Sequence, residues 1–127
     1  MPEKVWDTQA DFTEGTFVGC EATVDGKVVL STGYTEGTWT SQVYEALSWE
    51  RWAQFWLTGT RPAGTNVYFR VRSGTTSAAC LAASWTPYFD GMTDAGRIDE
   101  SLRVYYLNNP TASVGAFIQV QVLLEAS

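Results

Sequence analysis

A chain of 127 residues with 45% apolar side chains is long enough for one packed domain, too short for two, and too apolar for general disorder. Its formal charge of −6 at pH 7 opposes non-specific binding to nucleic acid. It has no histidine, which removes the usual general base, the usual triad member and the commonest zinc ligand.

The predicted elements follow in chain order. Residues 1–16 are polar and mixed, with 1–11 expected as an extended arm and a turn over 11–16. Residues 17–24 alternate loosely, Asp25-Gly26 marks a tight hairpin turn, and residues 27–31 (KVVLS) pair back. Residues 33–37 form a loop. Residues 38–45 (TWTSQVYE) alternate as one strand with Trp39, Ser41 and Val43 on one face.

Residues 49–72 read as a central hairpin, around which the rest of the chain is organised. In its first strand Trp52, Gln54 and Trp56 share a face. In its second, Val67, Phe69 and Val71 share one face and Tyr68, Arg70 and Arg72 the other. Pro62 and the glycines at 59 and 64 suit the turn between them.

Residues 73–77 are a polar loop, and residues 78–84 (AACLAAS) fit a short helix, a strand or an irregular loop. Residues 85–91 and 92–100 read as loops, the second of them exposed. Residues 102–107 (LRVYYL) form a strand, 108–110 a turn and 114–124 the last strand. Strands at this spacing predict an all-β chain, an antiparallel sandwich or barrel, taken as a single antiparallel β-sandwich domain over residues 1–127.

The N-terminal residues lack the apolar stretch of a secretory signal, and no apolar run approaches the ~20 residues of a membrane helix. The expectation is a protein made in the cytoplasm, with no membrane and no nucleic acid among its partners. The charge is uneven: residues 1–50 hold nine acidic and two basic side chains, residues 51–103 four acidic and six basic. Such asymmetry suits contacts between subunits.

No constellation for nucleophilic catalysis is present, because neither a histidine nor a nucleophile-elbow motif occurs. The chain is therefore read as not an enzyme. Cys20 and Cys80 are expected as buried thiols, with a disulfide as the alternative. Asp90, Asp94 and Asp99, with Glu100 beside them, form an acidic stretch. It reads as a solvated loop or, alternatively, as the oxygen ligands of a Ca²⁺ ion; its spacing is not that of an EF-hand. No other cofactor is expected.

Six tryptophans are hard to bury in one small sandwich. Trp85, Tyr88 and Asp90, together with Trp49, combine flat rings with polar groups and are the candidate ligand-binding residues. The same rings could instead fill a core or a subunit interface. Arg70 and Arg72, two apart on one strand, could grip the carboxylate of an acidic partner or pair with acids on neighbouring strands.

Five stretches carry a resemblance to a known family: residues 37–43 (GTWTSQV), 52–56 (WAQFW), 62–72 (PAGTNVYFRVR), 103–106 (RVYY) and 117–124 (FIQVQVLL), with Trp85 between the third and fourth. In this order they resemble the galactose-binding-domain-like jelly-roll module of phage tail or virion proteins and bacterial surface proteins. The resemblance spans residues 12–124. Two departures weaken any transfer of ligand residues: Tyr44-Glu45 follows Val43 where the pattern brings an Asp, and residues 78–84 are unusually apolar.

The resemblance implies a jelly-roll fold and a non-catalytic structural or interaction module. The setting it implies is a phage or prophage virion, as a tail accessory or capsid-decorating subunit that contacts copies of itself or other virion proteins. The alternative is a carbohydrate-binding module that meets glycans through exposed aromatics.

Overall fold

The computed structural model describes residues 9–24, 26, 28–45, 54–58, 66–89, 97–101, 109 and 111–125, with backbone alone for 54–58 and 97–101. It is dominated by strands joined antiparallel, which makes the chain all-β. In order come α1 (Gln9–Thr13), β1 (Thr16–Val18), β2 (Cys20–Ala22), β3 (Val28–Leu30), β4 (Glu36–Thr40), β5 (Tyr44–Glu45), β6 (Gln54–Thr58), β7 (Asn66–Gly74), α2 (Ser77–Ala82), β8 (Arg97–Ser101) and β9 (Phe117–Glu125).

The main sheet is built on β9. β7 lies along one edge of it over the whole length, from Asn66 opposite Glu125 to Gly74 opposite Phe117. Along the other edge run β4 and then β5, and β1 pairs outside β4. The predicted strand over 38–45 is thus two strands with a break after Thr40. The break has a local cause. Ser41 turns its hydroxyl onto the Val120 amide (2.9 Å) while its own N–H still reaches the Val120 carbonyl (2.8 Å). A side chain has taken over one rung of the ladder. The phase does not survive the break: Trp39 stands opposite Val122 but Tyr44 opposite Ile118, a shift of one residue, so Tyr44 takes the place expected for Val43 on the core face with the buried Trp39 and Ser41.

Alternation in β7 is as read from the sequence: Val67, Phe69 and Val71 are buried, and Tyr68, Arg70 and Arg72 half-buried on the opposite face. The buried face meets Ile118, Val120, Val122, Trp39 and Cys20, with Phe12, Phe17, Val28 and Phe89 packed around them. The pairing of the predicted central hairpin is corrected. β6 pairs with β8, while β7 has β9 on one edge and residues 86–89 on the other. The Phe89 amide donates to Phe69 O (2.8 Å) and the Thr86 amide to Val71 O (2.9 Å). With both edges of β7 taken at these positions, β6 cannot be its neighbour there. Residues 97–101, expected as exposed loop, form β8. The predicted strand over 102–107 lies outside the described residues.

The predicted hairpin forms between β2 and β3, with Gly26 at φ 82°, while Asp25 lies outside the described residues. Gly19 ends β1 at φ 70°, so the predicted strand over 17–24 divides into β1 and β2, which enter different sheets. Residues 9–11 belong to α1 rather than to an extended arm. Residues 77–82 resolve as helix because Thr76 caps them: its hydroxyl accepts the Ala79 amide at 3.0 Å. The last strand begins at Phe117 rather than 114. Before it, Ser73 Oγ accepts the Gly115 amide at 2.9 Å and lies 2.7 Å from Phe117 O. Gly115 rests so closely on Gly74 that a Cβ there would collide with its backbone.

Among the described residues no helix is long and apolar enough to cross a membrane.

Candidate functional site

The face of the main sheet opposite the core carries the site. Direct register places Arg70 opposite Gln121 and Arg72 opposite Gln119. Residues directly opposite in an antiparallel pair share a face, so two arginines two apart on β7 meet two glutamines two apart on β9. Each arginine donates its Nε–H to the facing amide oxygen: Arg70 to Gln121 Oε1 at 2.7 Å, Arg72 to Gln119 Oε1 at 2.8 Å. The glutamines are fixed in turn. Gln119 donates through Nε2 to Ser41 O (2.8 Å) and Gln121 to Thr40 Oγ1 (3.0 Å). These bonds also orient the two amides, since each oxygen accepts and each nitrogen donates.

Residues 85–88 run past the outer edge of β7 and cover the guanidinium groups. Arg72 Cζ lies 4.4 Å from the centroid of Trp85, and Arg70 Cζ lies 4.9 Å from Trp85 and 4.6 Å from Tyr88. These are cation–π distances, of order 0.5–2 kcal/mol each according to exposure. The Tyr88 hydroxyl donates to Gln121 Oε1 at 3.1 Å, and its ring stands 6.3 Å from Tyr68. Thr86, between the two rings, points the other way and accepts the Val71 amide. Arg72 gives one terminal group to Leu81 O at 2.9 Å, which ties the ridge to α2.

Among the described residues neither guanidinium has a carboxylate partner. Both terminal amino groups of Arg70 and one of Arg72 have no protein acceptor among the described residues. The arginines meet glutamines and aromatic rings, rather than acids on neighbouring strands, among the described residues. The result is a ridge of fixed, partly open cations in a net-acidic chain.

Of the candidate ligand residues, Trp85 and Tyr88 come together on this ridge, Trp85 half-buried and Tyr88 exposed. Trp49 and Asp90 lie outside the described residues. So does Asp94 of the acidic stretch, and Asp99 is placed only by its backbone on β8 opposite Trp56. Among the described residues no three His, Cys, Asp or Glu side chains converge as a metal site. Sequence reading put Arg70 and Arg72 on one face but missed what holds them. The signal was the matching two-residue spacing of Gln119 and Gln121 in the last strand.

Both cysteines are free and buried. Cys20 Sγ donates to Thr38 O at 3.1 Å and Cys80 Sγ to Arg72 O at 3.4 Å. Burial is the largest influence on each and pushes both thiols above their ordinary pKa of 9.0, even with Arg72 pulling Cys80 the other way. A thiol raised in the folded state favours folding fully below the unfolded pKa, and that contribution is lost as pH climbs beyond it. Stability is therefore expected to fall above about pH 9. Ellman's reagent at pH 8 should label neither thiol in the native protein and both in urea; prompt native labelling would contradict this.

Compared with known proteins, the chain matches no family model, no curated protein and no solved structure.

Proposed function

We propose that this protein is a non-catalytic interaction module whose working surface is the Arg70–Arg72–Trp85–Tyr88 ridge, and that the ridge holds carboxylates of a partner. One observation carries the reading: two arginines, oriented by glutamines and flanked by rings, keep terminal donors with no carboxylate of their own among the described residues. Such donors suit carboxylate oxygens, which accept charge-assisted bonds from a guanidinium. Because the side chains are held in place before a partner arrives, little rotamer freedom is lost on binding. The resemblance stated above supports a jelly-roll sandwich and a virion setting for the module, where partners are copies of the chain or neighbouring virion proteins.

A neutral glycan is favoured less. Stacking a sugar needs an open ring face, and Trp85 already carries both guanidinium groups. Calorimetric titration with a hexaglutamate peptide at low salt tests the reading. Binding is expected for the native chain and should weaken about tenfold or more in R70Q/R72Q. Equal binding of hexaglutamine, or no change in R70Q/R72Q that keeps its melting temperature, would overturn it.

A further inference from the structure

The face that bears the ridge is graded in charge along its strands. One row across the sheet is Arg70 on β7, Gln121 on β9, Thr40 on β4 and Thr16 on β1. Two residues further along β9 the row is Tyr68, Leu123, Thr38 and Val18, with Val18 64% exposed. Two further still it is Asn66, Glu125 and Glu36. Arginines thus stand at one end, an apolar row in the middle and two glutamates at the other end.

Glu36 and Glu125 face each other directly on adjacent strands, an arrangement that repels. Neither has a cationic partner among the described residues. Arg70 cannot serve within the chain. The four residues separating its row from that of Glu125 span about 13 Å of strand.

From this grading we infer that the partner whose carboxylates occupy the ridge is a second copy of the chain, laid face to face with its strands reversed. A twofold axis lying between the two faces, along the apolar row, brings each basic end over the other copy's acidic end. Twofold contacts are self-complementary, so both ion-pair sets form at once. Arg70 then lies over the other copy's Asn66 and one strand from its Glu125, Arg72 reaches toward the same acidic row from about 7 Å further along the strand, and Leu123 and Val18 each meet their own counterpart in the central row. The contact satisfies the open guanidinium donors and relieves the repulsion between the glutamates.

This inference rests on the carboxylate-holding reading of the ridge. Light scattering across a concentration series tests it. The native chain is expected at the mass of two chains at low salt, shifting toward one chain in about 1 M salt, where screening reaches ~3 Å. In E36Q/E125Q the repulsion inside each chain is gone, so the fold should be retained or strengthened, yet the dimer should weaken about tenfold or more. A native chain that stays monomeric at every concentration would overturn the inference. So would a dimer unchanged in E36Q/E125Q. If the chain is monomeric while R70Q/R72Q still loses the hexaglutamate peptide, the dimer fails and the carboxylate-holding ridge stands.

Discussion

Phe69→Ala is expected to remove about 3–5 kcal/mol of folding free energy, a large share of what a domain of this size possesses. Phe69 is fully buried at the centre of the core face, opposite Val122. Its ring lies 5.0 Å from that of Phe89, which its own backbone carbonyl also holds through the Phe89 amide at 2.8 Å. Truncation leaves a cavity lined by rigid strands, which cannot collapse to fill it. It also loosens Phe89, the residue that ends the segment carrying Trp85 and Tyr88. The substitution should therefore reach the opposite face of the sheet, and the ridge should lose order before the sheet does. Urea denaturation followed by tryptophan fluorescence measures this. A midpoint corresponding to less than about 1 kcal/mol of loss would show that the core is not centred on Phe69.

Trp39→Ala ranks second, at a similar scale of about 3–5 kcal/mol. Trp39 is 3% exposed, and its indole N–H donates to Phe12 O at 2.8 Å. The Phe12 ring meets it edge-on at 5.2 Å. Trp39 is thus both a core residue and the tether of α1. The helix is a single turn and would not persist without that contact. Trp39→Phe separates the two roles. It keeps most of the apolar area and deletes the donor, which should cost about 1 kcal/mol, because Phe12 O still accepts the Gly15 amide at 3.0 Å. Equal losses for the two substitutions would mean that the hydrogen bond, rather than the packing, holds α1.

The alternation of β7 was legible because one of its faces is core, and a period of two records that directly. So was the turn between β2 and β3, where Gly26 takes a positive φ. Strand partners were not legible. Periodicity says which side chains share a face and nothing about which strand lies alongside. The hairpin expected between β6 and β7 failed for that reason: residues 86–89, which look like loop because of Pro87, occupy the edge of β7 instead. The break at Ser41 was hidden as well, since a hydroxyl that replaces a backbone rung has no signature in the sequence, and with it the one-residue shift that puts Tyr44 rather than Val43 on the core face.

Half of the site could be read. Arg70 and Arg72 share a side by spacing alone, and Trp85 with Tyr88 stood out as rings among polar neighbours. That the rings cover the arginines depends on how residues 84–89 return along β7. That return is a tertiary contact without a local signal. The Ca²⁺ alternative for Asp90, Asp94 and Asp99 stays an expectation from the sequence, because their side chains fall outside the described residues.

The most direct test of the carboxylate-holding ridge is to follow the arginine Nε–H resonances by proton–nitrogen NMR while hexaglutamate peptide is added. Arg70 and Arg72 should show slowly exchanging Nε–H signals in the free protein, because both are bonded to glutamine. Those two signals and the Trp85 indole should shift together as the peptide binds. Saturable binding that moves other resonances and leaves these three in place would contradict the account.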